Sequence, residues 1–169
     1  MYVKNASHIY TCPTILGTDR DRLSKRHGAV SVMQYCDEGY LPEALINYLV
    51  RLGWSHGDEE IFSRDQFISW FDLASVNRSP AKFDSEKLRW INQHYLKTTD
   101  DSFLANQIKP LLEEKGCDLS AGPDLQRIVS ILKERVITTK ELADKSVSFY
   151  MRTEPTMEIK EQYYNAEIK

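Results

Sequence analysis

The chain has 169 residues, 41% of them hydrophobic and 28% charged, with a formal net charge of −3. That length holds one medium domain or two small ones, and the composition excludes wholesale disorder and a collagen-like repeat. No apolar run approaches the roughly 18 residues a membrane span needs, the opening MYVKNASHIY has no apolar signal-peptide centre, and the acidic balance excludes polyanion binding by bulk charge. A cytoplasmic address is the default expectation.

In chain order, HIYTCPTILGTDRDRLSKRHGAVSV has β-prone runs at 9–11 and 29–32 around a turn-rich, charged centre, which predicts the edge of a sheet-containing region. From Gly39, the apolar Leu41, Ala44, Leu45, Tyr48, Leu49 and Leu52 recur at three- and four-residue steps, the pattern of an amphipathic helix. Pro42 fits its first turn and Gly53 its stop. Ser63 and Gln66 have capping-box spacing ahead of Phe67, Ile68 and Phe71, predicting a short helix.

Asp84 or Ser85 caps a further helix with Leu88, Ile91 and Tyr95 on one face. DSFLANQIKPLLEEKG gives another, which Pro110 is expected to kink or break. Leu125, Ile128, Val129 and Leu132 mark the next, and Thr138 with Glu141 repeats the capping-box spacing. The second half therefore reads as helical throughout. A last pattern begins near Thr156 with no stop signal before Lys169, which suggests a chain cut within a helical region.

Cys12, Cys36 and Cys117 are odd in number and form no CxxC pair, so inert thiols are expected rather than disulfides or a zinc site. His8, His27, His56 and His94 lack metal-ligand spacing, and no metal is assigned. Trp54, His56 and the acidic GDEE run read as helix-end packing and a solvated turn, and Trp70, Phe71, Trp90 and Tyr95 as core residues.

The densest positive stretch is RLSKRHG, residues 22–28. Ser24, Lys25 and Arg26 can set a hydroxyl, a mobile ammonium and a planar guanidinium around one anion, and Gly28 permits a tight turn. Phosphate is the natural guest. A solvated basic turn, a nuclear-localisation signal and a general polyanion patch are the alternatives. Arg127, Lys133, Arg135 and Lys140 could meet RNA phosphates from one helical stretch and its following turn, or form a solvated face.

LSKRHGAVSVMQY, followed by GYLPEALINYLVRLGWSHGDEEIFS, resembles the region around the KMSKS-type loop of bacterial glutamyl-tRNA synthetases, class I aminoacyl-tRNA synthetases. The likeness continues through FDLASVNRSPAKFDSEKLRWINQHYL and covers most of the chain. Arg22, Leu23, Ser24, Lys25 and Arg26 match the loop motif, with arginine where the family usually has its first lysine.

The resemblance implies a mainly α fold: a helical stem-contact and anticodon-binding bundle preceded by a short β-containing remnant of the catalytic nucleotide-binding domain. The expected regions are 1–34, the end of the catalytic domain; 35–97, the stem-contact helices; and 98–169, part of the anticodon-binding region.

The implied activity is ATP-dependent attachment of glutamate to tRNA(Glu) through a glutamyl-adenylate. Lys25 is the implied catalytic residue, neutralising phosphate charge, with Ser24, Arg26 and His27 as further ATP contacts and magnesium sharing the work. The family's HIGH signature and glutamate pocket lie upstream of the matching stretch, so activity is not expected in this chain alone. A glutamine-type enzyme is disfavoured because its anticodon region is a β-barrel. The remaining alternative is a non-catalytic RNA-binding or regulatory module derived from a synthetase tail.

Overall fold

The computed structural model describes residues 13–24, 31–120 and 122–151. Seven α-helices and one two-stranded sheet make up its regular structure, besides short 3-10 turns. The first strand, β1 (Ile15–Leu16), is followed by α1 (Val32–Asp37), α2 (Pro42–Gly53) and α3 (Arg64–Trp70). Strand β2 (Ala81–Lys82) precedes α4 (Ser85–Thr98), α5 (Asp101–Glu114), α6 (Leu125–Leu132) and α7 (Thr139–Ser146). The mainly helical expectation holds.

Helix starts follow the capping chemistry. Pro42 opens α2, and Ser63 and Gln66 complete a reciprocal capping box at α3. Asp84 caps α4 by accepting from the Glu86 and Lys87 amides, Asp100 caps α5 and Asp124 caps α6. Thr138 caps α7, but the Glu141 carboxylate reaches the amide of Ile137 rather than that of the cap residue.

One expectation needs correcting and one is narrowed. Val32 opens α1, capped by Ser31, instead of closing a β-run, because the Ser31 hydroxyl satisfies the Met33 amide. Pro110 does not divide its helix, which runs from Asp101 to Glu114 with the proline on the exposed side, so of the expected kink or break the break is absent. The β-run at 9–11, residues 29–30 and the pattern after Thr156 lie outside the described residues.

One hydrophobic core joins the helices. Leu41, Ala44, Leu45 and Tyr48 from α2 and its start meet Leu88, Ile91 and Leu96 from α4. Leu104, Ile108 and Leu112 of α5 extend it to Val129, Val136, Leu142 and Ala143. Leu49 and Phe103, although on the predicted apolar patterns, are 41% and 47% exposed, so the buried faces are narrower than the periodicity suggested.

Buried amides tie distant segments together. Asn92 is fully buried, its Oδ1 accepting from the Leu41 amide at 2.8 Å and its Nδ2 donating to the Ile137 carbonyl. Asn47 donates to the Glu60 carbonyl at 3.0 Å and accepts from the Phe62 amide at 3.1 Å.

Candidate functional site

The root of the basic loop is built by backbone hydrogen bonds. Strand β1 pairs in parallel with β2, matching Ile15 with Ala81 and Leu16 with Lys82. The chain then folds back on itself. Gly17 N–H donates to the Asp21 carbonyl at 2.7 Å, Leu23 N–H to the Ile15 carbonyl at 2.9 Å, and Leu16 bridges Arg22 in antiparallel fashion. Arg20 takes a left-handed conformation, φ 68°, at the tip of this lasso, and the Asp19 carboxylate accepts from the Asp21 amide.

The outgoing leg therefore leaves a hydrogen-bonded hairpin, and the returning leg enters at the Ser31 cap of α1. Tyr35 anchors α1 through edge-to-face contact with Tyr40 and a tilted contact with Phe83. Phe83 follows β2 and donates its amide to the Leu16 carbonyl at 2.8 Å. Tyr48 locks the same corner from α2, its hydroxyl accepting from the Asp84 amide at 2.6 Å. Burial pushes the Tyr48 phenol up to about 12, so it stays protonated.

Of the motif residues, Arg22 is exposed and Leu23 and Ser24 are half-buried at the loop root. Lys25, Arg26 and His27 lie outside the described residues. The proposed RNA-contacting residues are not equivalent. Arg127, Arg135 and Lys140 are exposed. Lys133 has a side chain only 16% exposed, and its ammonium bonds the Thr99 carbonyl at 3.0 Å and the Asp101 carboxylate at 2.7 Å. It fastens the turn after α6 to the junction between α4 and α5 and is the least available of the four.

Trp54 is buried and packs on Phe62, Phe67 and Phe71, consistent with a structural reading. His56 stacks on Trp70 with centroids 4.5 Å apart and planes at 9°. Trp90 is 50% exposed and is not the core residue its spacing suggested, since the buried face of α4 is carried by Leu88, Ile91, Asn92 and Leu96. Among the described residues no group of His, Cys, Asp or Glu could hold a metal ion. Cys36 and Cys117 are free thiols, one exposed and one buried.

Composition and motif reasoning missed a charged cluster. Glu60 pairs with Arg51 at 2.9 Å and Lys87 at 2.6 Å. The hydrogen bond from Lys87, together with Arg51, holds the Glu60 carboxyl below its usual range although partial burial opposes this. It also missed Asn47 and Asn92, although a polar residue at a core-periodic helix position was the available signal.

Residues 2–90 match the family model for the catalytic domain of class I tRNA synthetases (E and Q). The chain is 62% identical over 159 residues to a glutamate–tRNA ligase from Nitrosospira multiformis, covering 93% of this chain and 34% of that protein. With the ligase from Nitrosomonas europaea the identity is 60% over 157 residues, again 93% of this chain and 34% of the relative. The chain thus spans about a third of the length of these curated relatives.

Among solved structures, a glutamate tRNA ligase from Elizabethkingia meningosepticum, in complex with its amino acid, superposes with a TM-score of 0.73 at 30% identity. The match covers 89% of this chain and 34% of that one. A glutamate-tRNA synthetase from Elizabethkingia anophelis gives a TM-score of 0.70 over 85% of this chain and 32% of its own. The chain belongs to the class I tRNA synthetases of the glutamate and glutamine type, and its likeness runs to the glutamate–tRNA ligases among them.

Proposed function

We propose that this chain is the part of a glutamate–tRNA ligase that carries the KMSKS-type loop, the stem-contact helices and the first helices of the anticodon-binding region, divided at about residues 34 and 97. The observation that carries this reading is 62% identity over 93% of the chain to a ligase of that specificity. In the complete enzyme the reaction joins glutamate to tRNA(Glu) through a glutamyl-adenylate formed from ATP.

The loop's part in that reaction is electrostatic. Attack on the α-phosphate builds negative charge on phosphate oxygens, and a cation held beside them lowers the barrier. Lys25 supplies this charge. Ser24, Arg26 and His27 complete a donor set suited to ATP phosphates: hydroxyl, fork and imidazole. Arg22 keeps a positive charge at the loop root but offers a planar fork instead of a point donor. Magnesium would share the phosphate charge when bound; among the described residues no group of His, Cys, Asp or Glu could hold a metal ion.

The chain on its own is expected to bind tRNA weakly and to catalyse no charging. Exposed Arg127, Arg135 and Lys140 offer phosphate contacts, against a net charge of −3 that repels a polyanion. The test is titration of this chain with glutamate tRNA and an unrelated tRNA at several salt concentrations. Binding that weakens with salt at a log–log slope of about 0.7 to 0.9 per phosphate supports the role. Absence of binding at low salt rejects it.

A further inference from the structure

A cavity of ≈ 170 Å³ lies where the second half of α2, strand β2 and the start of α4 meet. It is well below the roughly 300 Å³ at which drug-sized ligands begin to fit. Its wall holds more cations than anions: Arg51, Lys82 and Lys87 face one carboxylate, Asp84, and Tyr48 adds a hydroxyl. Tyr48 is 1% exposed; its oxygen accepts from the Asp84 amide, and its own proton has no acceptor among the described residues.

Arg51 is similarly underused. Its Nη2 donates to Glu60, while Nε and Nη1 are buried without a partner. Buried unpaired guanidinium donors are costly unless something accepts from them. Lys82 is exposed and forms no ion pair among the described residues. The opposing charges are partly committed, since Asp84 turns its Oδ1 to the Glu86 and Lys87 amides at the start of α4, and Glu60 draws on Arg51 and Lys87 together. The helix terminus is thus already capped, and the free donors are side chains.

We propose that this cavity is a binding site for a single phosphate oxyanion, held by Arg51, Lys82, Lys87 and the Tyr48 hydroxyl. A tetrahedral anion with acceptors on every side matches the donors left without a partner among the described residues, Arg51 Nε and Nη1, the Lys82 ammonium and the Tyr48 hydroxyl, with Lys87 shared with Glu60 and the Asp84 carboxylate on the same wall as the opposing charge. The same chemistry is supplied by a free phosphate group or by one phosphodiester of an RNA backbone. The site is separate from the basic loop and does not depend on the proposed ligase reading.

The experiment is an NMR titration of this chain with inorganic phosphate at constant ionic strength. Saturable shifts are expected at the amides of residues 82–87 and at the Arg51 Nε–H. Lys82→Ala should weaken binding about two- to fivefold, the worth of one exposed ion pair. Glu60→Gln should tighten it by a similar factor, because it releases Arg51 and Lys87 from their carboxylate. Lys109→Ala, at an exposed lysine on α5, should change nothing.

Absence of saturable shifts overturns the proposal. So does an equal loss in Lys82→Ala and Lys109→Ala, which would mark general charge attraction. In a second arm, a short RNA duplex that displaces phosphate identifies the backbone phosphodiester as the source of the anion. A duplex that leaves bound phosphate in place identifies a free phosphate group.

Discussion

Replacing Asn92 by leucine should damage the fold more than any surface change on the same helix. The amide side chain is fully buried and holds two backbone groups, the buried Leu41 N–H at the start of α2 and the part-buried Ile137 carbonyl before α7. Leucine is similar in shape but meets neither. Each orphaned group costs about 1 to 3 kcal/mol, and the added apolar surface recovers part, leaving a loss of about 2 to 5 kcal/mol. For a chain of this length that lowers the melting temperature by roughly 5 to 15 °C. Urea denaturation followed by circular dichroism would measure it, with His94→Leu on the exposed side of α4 as the control, expected within about 0.5 kcal/mol of the parent. A loss below about 1 kcal/mol for Asn92→Leu, or an equal loss in the control, would refute the argument.

Gly39→Ala should cost about 2 to 4 kcal/mol, because φ is +85° and a Cβ would lie 2.6 Å from the Lys140 backbone nitrogen. Gly116→Ala, with φ +78° but open space around it, should cost only about 1 kcal/mol, and paired urea curves separate strain from collision. The Glu141 carboxyl is held below the usual carboxylate range by the hydrogen bond from Lys145 and further by the Ile137 amide, although partial burial opposes this. Its contribution is present above the unfolded value and is lost as pH falls through the depressed folded one, so Glu141→Gln should flatten the acid limb of a stability–pH profile. In a complete ligase carrying this sequence, Lys25→Ala should slow pyrophosphate exchange by about 10² to 10³, and an unchanged rate would remove Lys25 from the chemistry.

The helices were legible because their signals are local. Ser63 with Gln66, Pro42 before an apolar stripe and Asp84 ahead of Leu88 each fix a boundary within a few residues of chain. Pro110 did not break its helix, because the proline lies on the exposed side, and periodicity does not weigh which side of the helix meets solvent. Strands of two residues paired across 66 positions, Ile15 with Ala81, leave no pattern at all. The basic loop was visible as chemistry, since RLSKRHG concentrates cations beside a glycine. The cluster of Arg51, Glu60, Lys87 and Lys82 was not, because its members come from separate elements and meet only through the fold.

The contact between Gly39 and Thr139 also bears on the order in which the chain assembles. The Gly39 carbonyl accepts from the Thr139 amide at 2.9 Å, a partner 100 residues away. Closing a loop of that length costs about 4 kcal/mol of chain entropy beyond a constant term. The α5–α6–α7 contacts join neighbouring elements and need far less closure. The seam at Gly39 therefore zips after those helices have paired, late on the folding path. Damage there should leave the folding rate nearly intact and appear as faster unfolding, so the seam, which Asn92 also spans from Leu41 to Ile137, bears more on the native lifetime than on the speed of reaching the native state.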